Sequence, residues 1–114
     1  MITLYGIKNC DTVKKARTWL EQHKVDYQFH DFRADGLSAA QVKIWIEEIG
    51  LETLVNKRST TWKELSEATK TNLNEANAAK VISENPTLIK RPLLDTGDKK
   101  HVGFKDNEYT TIFN

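Results

Sequence analysis

Hydrophobic and polar residues follow two different periods along this chain. The opening run, Ile2-Thr3-Leu4-Tyr5-Gly6-Ile7, is short, apolar and rich in β-formers, which predicts a buried strand. From Val13 the period changes. Val13, Ala16 and Leu20 recur at helical spacing and predict a helix over residues 13–23. In residues 26–32, Tyr27 and Phe29 alternate with polar neighbours and mark a second strand. A strand–helix–strand unit of this kind expects parallel pairing, because the helix supplies the crossover that parallel strands need.

A helical stretch follows. Ser38 and Gln41 have capping-box spacing, and Val42, Trp45, Ile46 and Ile49 then fall at i, i+3, i+4 and i+7. Gly50 closes that helix. Residues 51–56 read as a short helix or turn. Another helix is predicted to start at Thr61, with Glu64 completing a second box. A further one starts near Asn74 and carries Ala78, Ala79, Val81 and Ile82. Glu84-Asn85-Pro86 stops it, since the residue before proline avoids the helical region.

The tail changes character again. Residues 88–96 form a strand candidate interrupted by Pro92. Gly97-Asp98 is a tight turn, His101-Val102-Gly103-Phe104 the returning strand, and a short helix follows Lys105-Asp106. The order is therefore βαβ, several helices, then a hairpin and a last helix. A βαβ half and a ββα half around one mixed sheet is the thioredoxin-type α/β arrangement, here with helices inserted at about residues 36–85.

At 114 residues the chain is expected to form one domain with a modest core. Its formal net charge of +1 gives no field that argues for nucleic acid or a membrane surface. Lys8 and Asp11 interrupt the early apolar run, so no signal peptide is read. No apolar run reaches the roughly 18 residues of a membrane span. One cysteine forms no internal disulfide, which fits a reducing, cytoplasmic setting.

That cysteine, Cys10, falls where the first strand turns into the first helix. A thiol there faces the helix's unpaired N–H groups and the positive end of its dipole, and both favour thiolate. Thiolate is the form that attacks, so the position points to sulfur chemistry. The alternative is a small buried core residue. Lys8 adds to the thiolate bias, and Asp11 opposes it if its carboxylate points at the sulfur. Thr12 can hydrogen-bond the thiolate or cap the helix. His23, His30 and His101 lack a metal-ligand spacing with Cys10, so no metal is expected. Trp19 and Trp45 are expected to pack, and Trp62 to line a pocket or pack. Lys14, Lys15 and Arg17 read as a solvated helix face.

Four segments occur in order: Gly6-Ile7-Lys8-Asn9-Cys10-Asp11-Thr12, Asn56-Lys57-Arg58, Lys90-Arg91-Pro92 and Val102-Gly103-Phe104-Lys105. With them the chain resembles the arsenate reductase (ArsC)-like family over essentially its full length. It is most similar to the YffB branch of small thiol reductases, with the Spx regulators as more distant relatives. The resemblance implies a thioredoxin-like fold with a helical insertion. It aligns Cys10 with the catalytic cysteine, Arg58 and Arg91 with arginines around it, and Pro92 with a proline that is cis. The residue before that proline then faces the sulfur, which favours Arg91 over Arg58. Lys105 stands near a third arginine of the reductases; it keeps the charge but loses the planar fork that grips an oxyanion in two places. The His-Asn-Pro lead-in of those enzymes is absent before Cys10.

The expected function is that of a monothiol oxidoreductase. Cys10 is the catalytic thiol. Arg58, Arg91, Lys105, Lys8 and Thr12 bind a small oxidised or anionic substrate, and Pro92 shapes the site. The position three after Cys10 is Val13, which closes the Cys-x-x-Cys route. The resolving thiol must then come from outside, as glutathione or another external thiol, with no bound cofactor. Two alternatives stand beside this reading: an Spx-like regulator that binds RNA polymerase, and a thioredoxin-fold binding module without turnover.

Overall fold

The computed structural model describes residues 2–113. Its elements run β1 (Thr3–Gly6), α1 (Asp11–Gln22), β2 (Gln28–Asp31), α2 (Ala39–Ile49), α3 (Leu51–Leu54), α4 (Thr60–Glu64), α5 (Glu67–Asn72), α6 (Glu75–Glu84), β3 (Leu93–Asp95), β4 (Lys100–Val102) and α7 (Asp106–Ile112). They fall into two compact units. Met1–Asp35 with Arg91–Asn114 carries the sheet, and Gly36–Lys90 carries α2 to α6.

In the sheet unit the strand order is β2-β1-β3-β4. β1 and β2 pair in parallel, as the strand–helix–strand reading expects, while β3 is antiparallel to both β1 and β4. The result is the thioredoxin-type mixed sheet. β1 alternates: Leu4 and Gly6 are buried, Thr3 and Tyr5 half-buried. The α1 face of Val13, Ala16, Trp19 and Leu20 is buried in turn. Leu4, Ala16, Trp19, Leu20, Leu94 and Tyr109 form one core cluster that joins sheet, α1 and α7. Fully burying a leucine such as Leu4, Leu20 or Leu94 is worth about 1.5–3 kcal/mol each. Gly6 lets α1 close onto β1: a Cβ there would lie 2.7 Å from Val13 Cγ2. Tyr5, half-buried like Thr3, meets His30 of β2, directly opposite it in register, at a ring separation of 5.0 Å.

The helical unit departs from the sequence expectations in several places. α2 buries Val42, Trp45 and Ile46 as the apolar stripe predicts, and packs against α6, which buries Ala78 and Ile82. Ser38 accepts the Gln41 N–H at 3.1 Å and caps α2. The second predicted box is displaced. Ser59, not Thr61, is the N-cap of α4, because its Oγ accepts the Trp62 N–H at 3.1 Å. A complete capping box instead opens α6, where Asn74 and Asn77 each accept the other's backbone N–H. α5, capped by Ser66, has no buried residue and hence no apolar stripe to announce it. The strand expected over residues 88–96 is shorter. Leu88 ends a 3₁₀ turn, Pro86–Leu88, and Ile89 makes a lone antiparallel bridge with Val55. Only Leu93–Asp95 joins the sheet, since proline has no N–H to give a ladder.

Candidate functional site

Cys10 is the N-cap residue of α1, with extended φ and ψ of −84° and 126°. Its C=O accepts the first helical N–H, from Lys14, at 3.0 Å, and its own N–H bonds back to the Ile7 C=O at 3.1 Å. Ser, Thr, Asp and Asn normally fill this position, because a side-chain oxygen can accept an orphan N–H. Here the side chain makes no capping bond, so the thiol sits half-buried beside the helix's unpaired donors. This corrects the role offered to Thr12. Thr12 is the second residue of α1, inside the helix rather than at its cap.

The register of the sheet determines what else reaches this end of it. Tyr5 pairs with Leu93, so the chain leaving β1 toward Cys10 runs beside the chain entering β3 from Arg91-Pro92. The Arg91-Pro92 bond is cis, as the family resemblance implies. Pro92 is buried, and the Arg91 Nε atom is buried with it. Leu93 pairs with Val102, and the Gly103 N–H donates to the Pro92 C=O at 2.9 Å. That bond ties the segment 103–105 to the proline, and Lys105 then becomes the N-cap of α7, exposed. Cys10, Arg91, Pro92 and Lys105 thus leave one end of one sheet from three separate chain segments. Arg58 is the predicted site residue that belongs to the other unit. It is exposed in the turn before α4, where its N–H donates to Asn56 Oδ1 at 3.0 Å.

Lys8 brings a backbone contact that no local pattern announces. Its side chain is exposed, while its backbone N–H donates to Asp31 Oδ2 at 3.2 Å. Asp31, at the end of β2, also accepts the N–H groups of Arg33 and Ala34. Burial alone would raise its carboxyl. The N–H donors of Arg33, Lys8 and Ala34, with the Arg33 charge, hold it below the usual carboxylate range. No sequence signal singled out Asp31. The only cue was its place at the end of a strand parallel to β1, where it comes level with Gly6.

Arg17 is a second correction. It is not part of a solvated face: its Nε donates to Tyr27 Oη at 3.2 Å and its guanidinium lies 4.3 Å from the Phe29 ring centre. An arginine can lay its stem on an aromatic strand face and still carry its charge at the surface. Lys14 and Thr18 stay exposed, one and two turns along the helix from Cys10. With Lys15 and Phe104 they line a groove of about 330 Å³ beside α1. Trp62 is half-buried in the helical unit, with the Lys57 and Lys70 ammonium groups 5.7 and 5.9 Å from its ring centre. Among the described residues, no three His, Cys, Asp or Glu side chains are grouped to hold a metal ion. No helix among them is long and apolar enough to cross a membrane.

Known proteins are similar to this chain. A solved structure named YFFB (PA3664) protein superimposes with a TM-score of 0.92 at 46% identity, covering 97% of each chain. An uncharacterised protein of Haemophilus influenzae is 49% identical over 113 residues, 99% of both chains. The global transcriptional regulator Spx 2 of Lactococcus lactis is 32% identical over 110 residues, 95% of this chain and 83% of that one. The family model described as the ArsC family matches residues 5–112, across both halves of the sheet and the helices between them, and the chain belongs to that family.

Proposed function

We propose that this protein is a monothiol oxidoreductase that uses Cys10 and an external thiol, with glutathione as the leading candidate. The observation that carries this reading is the placement of Cys10. Its thiol occupies the N-cap of α1 without capping it, at the sheet end that Arg91-Pro92 and Lys105 also reach. A helix N-terminus favours the thiolate that such chemistry needs.

In the first step the Cys10 thiolate attacks one sulfur of a mixed disulfide between the substrate and glutathione. A Cys10–glutathione disulfide forms and the substrate leaves as thiolate. In the second step a glutathione thiolate attacks that disulfide, releasing oxidised glutathione and restoring the Cys10 thiolate. The chain holds one cysteine and places buried Val13 three residues after it, so the second thiol has to come from solution. Arg91 and Lys105 supply cations for the carboxylates of glutathione or for an anionic substrate, with Lys8 and Thr12 beside the thiol. Each charge-assisted hydrogen bond of this kind is worth about 1.5–3 kcal/mol.

Intact-mass analysis after exposure to oxidised glutathione is the direct test. The parent gains one glutathione and Cys10→Ser gains none. Arg91→Ala takes up glutathione about ten-fold more slowly, one decade per ~1.4 kcal/mol, while Lys15→Ala behaves as the parent. If Arg91→Ala follows Lys15→Ala, no anion site exists, and the reading rests on Cys10 alone. A parent that takes up no glutathione ends the proposal for that co-substrate.

The similarity to Spx 2 favours a second reading, a transcriptional regulator, for which the partner we propose is RNA polymerase. Capture of polymerase subunits from lysate by Cys10→Ser and parent alike, with no glutathione turnover, would establish it in place of the first.

A further inference from the structure

We infer that Asp31 is a positioning residue for the Cys10 thiol: one oxygen of its carboxylate builds its own turn and the other fixes the loop that carries Cys10. The inference rests on the proposed role of Cys10 as the reacting thiol. Oδ1 accepts the N–H of Arg33 at 2.8 Å and of Ala34 at 3.3 Å, an ordinary turn-forming use of an aspartate. Oδ2 does what no local turn requires. It accepts the N–H of Lys8 at 3.2 Å, 23 residues away in sequence. The parallel register makes this reach possible, since Gly6 lies opposite Asp31 and the Phe32 N–H donates to the Gly6 C=O at 2.9 Å.

The loop between β1 and α1 is thus tied three times. Gly6 is held by Phe32, Lys8 by Asp31, and Cys10 closes onto Ile7 at 3.1 Å. Lys8 and Asn9 are exposed, so apolar burial does not hold the middle of this loop, and a polar tie has to. Asparagine would serve the turn as well as aspartate. Only a carboxylate offers two acceptor oxygens, and only the Lys8 contact calls for the second. Asp35 accepts the Asp31 N–H at 3.0 Å, a contact to the Asp31 backbone that leaves its carboxylate untouched.

Three variants of the full chain separate these contacts. Asp31→Asn keeps the turn acceptor and loses the second oxygen. Asp31→Ala loses both. Asp35→Ala leaves the Lys8 contact in place. In the parent, the Lys8 amide proton resonance moves as the Asp31 carboxylate titrates, below the usual carboxylate range, and in Asp31→Asn that movement is gone. Exchange of the Lys8 amide with solvent is about ten-fold faster in Asp31→Asn, as expected for one lost hydrogen bond. Alkylation of Cys10 by iodoacetamide slows by roughly three-fold or more in both Asp31 variants, because a displaced loop misplaces the reacting atom. Asp35→Ala follows the parent in both measurements.

An unchanged Lys8 amide, or an unchanged alkylation rate with only a lower melting temperature, overturns the inference. Faster alkylation overturns it as well, since removing a carboxylate's charge would by itself favour thiolate. Iodoacetamide reads the thiol without glutathione, so the two proposals fail separately. If the parent takes up no glutathione but the alkylation pattern holds, the co-substrate falls and the positioning stands. Equal alkylation with intact turnover gives the reverse.

Discussion

Replacing Gly6 by alanine tests whether the close approach of β1 and α1 sets the position of Cys10. The added Cβ would lie 2.7 Å from Val13 Cγ2 and 3.3 Å from Val13 Cγ1. Carbon atoms in contact settle near ~3.5–4.0 Å, so α1 or Val13 must give by close to an ångström. Val13 gives poorly. It is fully buried, and a β-branched side chain in a helix has one strongly preferred rotamer. Overpacking of this sort costs about 1–3 kcal/mol. Alanine also removes freedom from the unfolded chain, which returns about 0.4–1 kcal/mol. The net loss is then on the order of 1–2 kcal/mol, or roughly 5–10 °C in melting temperature for a chain of this size.

Urea denaturation of Gly6→Ala, Val13→Ala and the double variant decides the matter. Val13→Ala alone leaves a cavity and destabilises. In the double variant the new Cβ enters that cavity. The two losses then fail to add, with a coupling of about 0.5–3 kcal/mol in the direction of rescue. Cys10 alkylation should follow the same pattern, perturbed in Gly6→Ala and restored in the double variant. A Gly6→Ala protein as stable as the parent, or losses that add, would refute the close-approach argument.

Three further outcomes follow from the structure. The Tyr109 hydroxyl is buried with no hydrogen-bond partner among the described residues, and burial, then the Glu108 charge, pushes its titration far above the usual range. Since an unsatisfied buried hydroxyl costs about 1–3 kcal/mol, Tyr109→Phe should be neutral or stabilising by denaturation, and a loss beyond the measurement error would show a partner for that oxygen. The Asp31 carboxyl is lowered in the fold, so its stabilisation is present above the unfolded value of about 3.9 and is lost as pH falls through the folded one. The stability gap between parent and Asp31→Asn should therefore be full at neutral pH and close in acid, and a gap that persists unchanged at low pH contradicts the assignment. Asn74→Ala removes the side-chain oxygen that accepts the Ala76 and Asn77 N–H groups at the start of α6 and should cost about 0.5–2 kcal/mol by thermal melting, with Asn72→Ala as a milder comparison.

What the sequence determined by itself was periodic or local. The α1 stripe of Val13, Ala16 and Leu20, the α2 stripe of Val42, Trp45 and Ile46, and the alternation of β1 were legible because one buried face repeats along the chain. The place of Cys10 at a strand-to-helix turn was legible for the same reason. α5 was not, since it buries nothing and its start depends on a serine cap. Nor was the short reach of β3, because the bridge between Ile89 and Val55 is formed with a chain segment over thirty residues away. The site shows the same division. The cysteine, the proline and the basic residues could be named from the chain, but Asp31 could not. Its importance lies in one hydrogen bond to Lys8, which exists only because parallel pairing of β1 with β2 brings their ends level. Local pattern encodes which face of an element is buried. Which backbone donor meets a particular carboxylate is decided by register between elements, and only the tertiary structure contains that.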